Sequence, residues 1–109
     1  MNIDVETVDT ATIVIPRGDV DMSQSSALRE ILKPLLHSST GRLIVDLSEV
    51  KYMDSSGIAT LIEALQICKQ QTVHFGICSL CEGVRSIIEL ARLDTIFVIT
   101  DTREDALVA

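Results

Sequence analysis

The run Leu43-Ile44-Val45-Asp46-Leu47 constrains this chain more than any other stretch. Its nearly unbroken apolar character predicts a strand in a central position, covered on both faces. Shortly after it, Ile58, Leu61, Ile62 and Leu65 recur on one stripe, which predicts a helix from about Ser55. Between the two lies Asp54-Ser55-Ser56-Gly57, a polar strand-to-helix turn.

The rest of the chain repeats this alternation. Ile3, Val5 and Val8, then Ala11 to Ile15, are β-branched runs separated by Asp9-Thr10 and predict a β-hairpin, with Pro16 ending its second strand. Gly18-Asp19-Val20-Asp21 reads as a turn before a helix carrying Leu28, Ile31, Leu32, Leu35 and Leu36, capped by Ser23 or Asp21. Pro34 falls inside that helix and predicts a kink or shift. Ser38-Ser39-Thr40-Gly41 reads as the loop before the central strand. Val73 to Ile77 is the next strand. A third helix carries Val84, Ile87, Ile88 and Ala91, and a short strand spans Ile96 to Ile99. Asp101-Thr102 before Glu104-Asp105 suggests a capped terminal helix. The order β-β-α-β-α-β-α-β-α implies an α/β domain whose mixed sheet has an N-terminal antiparallel hairpin, parallel strands joined by right-handed crossovers, and about four helices. Strand-to-helix turns then gather along one edge, where sites in such folds collect.

Length and charge narrow the function. At 109 residues the chain suits one domain spanning 1–109, with an aliphatic core, since hydrophobic residues reach 47% while aromatics are only 3%. A net charge of -7 would repel a phosphate backbone, so nucleic acid is disfavoured as a partner. No stretch approaches the ~20 apolar residues of a membrane span, and Asp4 and Glu6 stand where a signal peptide would be basic. A cytoplasmic protein with reduced Cys68, Cys78 and Cys81 is expected, without membrane insertion.

Asp54-Ser55-Ser56-Gly57 has two readings. A helix start leaves unpaired N–H groups and a partial positive charge, which Asp54 or Ser55 can satisfy simply as a cap. The same features suit an anion or a phosphorylatable hydroxyl. One cap does not require two serines between an acid and a glycine, and Gly57 removes a side chain that would block another molecule. Asp19, Asp21 and Asp54 are expected around one rim, and Ile58, in the first turn of the helix, is a candidate apolar contact.

The run Ile44-Val45-Asp46-Leu47, then Met53-Asp54-Ser55-Ser56-Gly57-Ile58, together with Gly18-Asp19-Val20-Asp21, resembles the signature of STAS-domain anti-sigma factor antagonists. The likeness extends over nearly the whole chain; Cys81, where that family often has a serine, and Pro34 depart from it. The resemblance implies a reversible binding switch rather than an enzyme, with no cofactor. It places phosphorylation on Ser56, by a partner anti-sigma factor that is itself a serine kinase, and reversal by a serine phosphatase. The unphosphorylated form would bind that partner and free the sigma factor. The implied partner surface comprises Asp19, Asp21, Asp54, Ser55, Ser56, Gly57 and Ile58, on a monomer or weak dimer. The alternative is a non-phosphorylated STAS scaffold or adaptor in a transport or stress-signalling complex.

Other chemistries find less support. Cys78-Ser79-Leu80-Cys81 sits before a helix like a redox pair, but the only prolines, Pro16 and Pro34, lie upstream and cannot supply the cis-proline that thioredoxin-like folds place there. Cys68, His37 and His74 are too scattered for a metal site. Serine hydrolysis would need a nucleophile elbow, which Asp-Ser-Ser-Gly is not, and a histidine assignable to Ser56.

Overall fold

The computed structural model describes residues 1–38 and 41–109, with the side chain of Ser38 left aside. Strands β1 (Asn2–Val8) and β2 (Ala11–Arg17) form the hairpin, followed by α1 (Ser25–Ser38), β3 (Arg42–Asp46), α2 (Ser55–Gln70), β4 (His74–Cys78), α3 (Glu82–Leu90), a 3-10 turn (Leu93–Thr95), β5 (Val98–Thr100) and α4 (Arg103–Ala106). The sheet order is β1-β2-β3-β4-β5. Only β1 and β2 run antiparallel; the remaining pairs are parallel, as crossover helices require.

The central strand is covered on both faces. Leu43, Ile44 and Val45 are each fully buried. Leu43 and Val45 belong to the main core with Leu28 and Leu32 of α1, Leu61 and Ala64 of α2, and Val84 and Ile88 of α3. Ile44 faces the other way, into a smaller cluster with Ala11, Ile13, Ile15, Cys78 and Ala106. Among the described residues, the one helix over that second face is the four-residue α4, so arginines complete the cover. Arg103 Nε and Nη2 donate to Asp46 Oδ2 at 3.2 and 2.9 Å, and its Nη1 donates to Glu6 Oε1 at 3.1 Å. Arg42 Nη1 holds the chain end by donating to the carbonyls of Ala106 and Ala109 at 2.8 and 2.7 Å. Burial of Asp46 alone would raise its pKa, but hydrogen bonds from Ser48 and Arg103 outweigh it and hold the carboxyl below its ordinary value.

Several local expectations shift. Pro16 lies inside β2 rather than ending it: it pairs with Ile3 of the edge strand, beyond the last rung that β2 shares with β3, Val14 with Val45. Leu47 lies just past β3, and Val73 just before β4, though both stay buried. Ile96 and Phe97 follow the 3-10 turn, and β5 begins only at Val98. Helix α1 continues through exposed Pro34 as one element, the lost donor falling on the side open to water. Ser38 ends α1 instead of opening the loop; Ser39 and Thr40 lie outside the described residues. Ser23 does not cap α1; Asp21 heads the turn over 21–24 that leads into it, its side chain accepting from Ser23 N–H at 3.0 Å and its carbonyl from the Gln24 and Ser25 N–H groups at 2.9 Å. Thr102 does cap α4, accepting from Asp105 N–H at 3.0 Å.

Candidate functional site

At the C-terminal edge of the sheet, two loop segments pair. Val20 and Met53 form a parallel bridge, with Val20 N–H donating to the Tyr52 carbonyl at 3.0 Å and Asp54 N–H donating to the Val20 carbonyl at 3.1 Å. Both bridging side chains are fully buried, which anchors the loops on the core. In a paired extended segment the neighbours of an inward residue point outward. Asp19 and Tyr52 are accordingly exposed, and Asp21 and Asp54 half-exposed, so the structure does set the three acids on one rim.

Asp54 organises the start of α2. Its Oδ1 accepts from Ser56 N–H at 2.9 Å, from Gly57 N–H at 3.3 Å and from the Ser56 hydroxyl at 2.6 Å. Its Oδ2 accepts from Met22 N–H at 3.0 Å, tying the first loop to the helix. The Ser56 hydroxyl bond leads the interactions that lower the Asp54 pKa, followed by the backbone donors, so the group is held as a carboxylate. Ser55 opens the helix exposed; Ser56 is half-buried. The cap thus belongs to Asp54, and Ser56 presents a hydroxyl whose proton is committed to that carboxylate.

A second unit of the same form lies beside it. Asp21 Oδ1 accepts from Ser23 N–H at 3.0 Å and from the Ser23 hydroxyl at 2.6 Å.

Two expected contact residues have other roles. A Cβ on Gly57 would sit 2.5 Å from Met53 Cγ and 3.0 Å from both Val20 Cγ1 and the Val20 carbonyl oxygen. The missing side chain therefore admits the protein's own loop, not an incoming molecule. Ile58 is 7% exposed and part of the main core, because its side chain follows the inward stripe of α2. Sequence reasoning missed Met22, 79% exposed, and Tyr52, 49% exposed, which stand beside the acids as apolar surface. The signal lay in the loops: Val20 and Met53 go inward, and that alternation turns Tyr52 out.

Elsewhere the chemistry is quiet. No cluster of three or more His, Cys, Asp or Glu suited to a metal ion occurs among the described residues. Cys68 and Cys78 are fully buried, and burial pushes both thiols up to about 11. Cys81 is half-exposed at the start of α3, its thiol 3.6 Å from the Ser48 carbonyl. His74 is half-buried in β4; its Nε2 has no hydrogen-bond partner among the described residues, and burial beside Arg42 lowers its pKa. No helix of the described residues is long and apolar enough to cross a membrane.

A family model of the STAS domain matches residues 2–106. The chain belongs to the STAS domain family. An anti-sigma-B factor antagonist of Staphylococcus aureus is 25% identical to this STAS domain over 104 residues, covering 95% of this chain and 96% of that protein. The crystal structure of an anti-sigma factor antagonist from Mycobacterium paratuberculosis is 29% identical, covers 98% of this chain and 91% of its own, and superposes with a TM-score of 0.91. The Bacillus cell fate determinant SpoIIAA in its phosphorylated form shares the fold at 15% identity, covering 97% of this chain and 96% of its own with a TM-score of 0.75.

Proposed function

We propose that this STAS domain is an anti-sigma factor antagonist acting in the cytoplasm as a monomer or weak dimer. Unphosphorylated, it binds an anti-sigma factor that is also a serine kinase and so releases a sigma factor; phosphorylation of Ser56 ends the binding, and a serine phosphatase restores it. The observation that carries the reading is the Ser56 hydroxyl, held at 2.6 Å on the Asp54 carboxylate at the start of α2, beside exposed Met22 and Tyr52. The names of its relatives point the same way.

The geometry also supports a mechanism. Phosphorylation removes the O–H donor that Asp54 accepts and places about -1.5 to -2 charges against an ionised carboxylate. In the free protein, water and the α2 N-terminus screen that charge. In an interface that covers Met22 and Tyr52, water is excluded and the repulsion is no longer screened. Binding therefore suffers more than folding. Asp19, Asp21, Asp54, Ser55 and Ser56 form the polar part of the contact surface, with Met22 and Tyr52 as its apolar part. Incubation of the full chain with ATP and the host's anti-sigma factor, followed by the mass of the peptide containing Ser55 and Ser56, tests this. One phosphate on Ser56 is expected; no phosphate on either serine would favour a scaffold role.

A further inference from the structure

The chain carries three cysteines and three methionines, and the fold treats their sulfur atoms unequally. Cys68, Cys78 and Met53 are fully buried, and burial pushes the two thiols up to about 11, so neither offers the thiolate that oxidants attack. Cys81 is half-exposed at the start of α3, its thiol 3.6 Å from the Ser48 carbonyl. Met1 is 37% exposed and Met22 79%. A thioether reacts without losing a proton, so exposure ranks the methionines, with Met22 first and Met53 last. Met22 is also fixed in place: its backbone N–H donates to Asp54 Oδ2 at 3.0 Å, which holds the residue beside the start of α2 while its side chain stands in solvent. That side chain belongs to neither apolar cluster, so its chemistry can change without loosening the core.

We propose that Met22 is an oxidation site whose sulfoxide weakens partner binding, which puts this surface under the control of peroxides; the inference rests on the reading that an anti-sigma factor covers Met22. In the reaction a sulfur lone pair attacks one oxygen of hydrogen peroxide, the S–O bond forms as the O–O bond breaks, and the proton on the transferred oxygen passes to the departing one. Sulfur loses two electrons and the peroxide leaves as water. A methionine sulfoxide reductase, drawing on thiols, reverses the change. The product converts a flexible apolar side chain into a polar one whose oxygen accepts hydrogen bonds but donates none. The rim offers that oxygen no donor side chain. Asp19, Asp21 and Asp54 are acceptors when ionised, and the Ser23 and Ser56 hydroxyls are already given to Asp21 and Asp54 at 2.6 Å each. Water satisfies the sulfoxide in the free chain; a dry interface strands it.

The experiment treats the full chain, as wild type and as Met22→Leu, with hydrogen peroxide, clears the oxidant with catalase, and adds dithiothreitol, which returns oxidised thiols but leaves sulfoxides. Peptide mass spectrometry reads oxygen on each methionine, circular dichroism reads Tm, and isothermal titration reads affinity for the host's purified anti-sigma factor, compared before and after treatment within each chain. Oxygen is expected on Met22 at least about tenfold faster than on Met53. The treated wild type should bind about tenfold more weakly with Tm unchanged, and methionine sulfoxide reductase should restore it. Met22→Leu, whatever its starting affinity, should not respond to peroxide. Oxidation of Met53 as fast as Met22, an unchanged affinity with Met22 fully oxidised, or an equal loss in Met22→Leu overturns the inference and leaves the proposed function standing. Failure of the untreated wild type to bind overturns the proposed function, and this inference with it.

Discussion

Replacing Gly57 by alanine isolates the packing that presents Ser56. In a helix interior, alanine is ordinarily favoured over glycine by up to ~1 kcal/mol. Here the added Cβ would lie 2.5 Å from Met53 Cγ, about 1 Å inside an ordinary carbon contact. It would also lie 3.0 Å from Val20 Cγ1 and from the Val20 carbonyl oxygen. That carbonyl cannot retreat freely, since it accepts the Asp54 N–H at 3.1 Å, and neither the Val20 nor the Met53 side chain has solvent to move into. Overpacking costs about 1–3 kcal/mol, and contacts this close to buried atoms place the cost in the upper part of that range, about 2–3 kcal/mol, so the net loss is about 1–2 kcal/mol after the helix gain. For a chain of this size that lowers Tm by roughly 5–15 °C. Urea unfolding followed by circular dichroism should show a lower midpoint with an unchanged slope. Ala59→Gly, at an exposed position on the same helix, should also lose about 1 kcal/mol. Opposite exchanges in one helix would thus both destabilise. A Tm for Gly57→Ala at or above wild type would refute the close seating of α2 on the Val20 and Met53 loops.

Asp46 has a pKa lowered in the folded chain, so its contribution is full above the unfolded value near 4 and is lost as pH falls through the folded pKa. Unfolding of Asp46→Asn against wild type should show a deficit at pH 7 that shrinks below about pH 4; a constant deficit would deny the ionic role. Arg103→Met strands the 4% exposed Asp46 carboxylate and should cost about 1–3 kcal/mol in the same assay, and no loss would mean that α4 does not depend on the pair. With Cys68 and Cys78 fully buried and their thiols at about 11, a thiol reagent at pH 8 should label one cysteine, Cys81, in the folded chain; rapid labelling of all three would contradict the core described.

The architecture was legible because local patterns agreed with one another. The apolar run through Val45 required cover on both faces, and the stripe from Ile58 to Leu65 supplied a helix for one of them. The other cover was not legible: Arg103 reaches Asp46 across the sheet, and no local pattern links residues so far apart. At the site, the rim of Asp19, Asp21 and Asp54 followed from the acids on either side of the strand-to-helix turns. Gly57 misled because a glycine beside a recognition turn looks the same whether it admits a partner or the chain's own Val20 and Met53. Ile58 misled likewise, since a first helical turn can face either way. Met22 and Tyr52 became visible only once the Val20 and Met53 bridge showed which residues of each loop point out. The paired Asp-x-Ser units are plain as letters, but their adjacency depends on that same bridge.

The affinity of the host anti-sigma factor for the chain before and after phosphorylation of Ser56, measured by isothermal titration with Tm recorded alongside, tests the central claim most directly. Repulsion between the phosphate and Asp54 in a dry interface predicts binding about 100-fold weaker with the fold intact. Equal affinity for the two forms, with both folded, would contradict it.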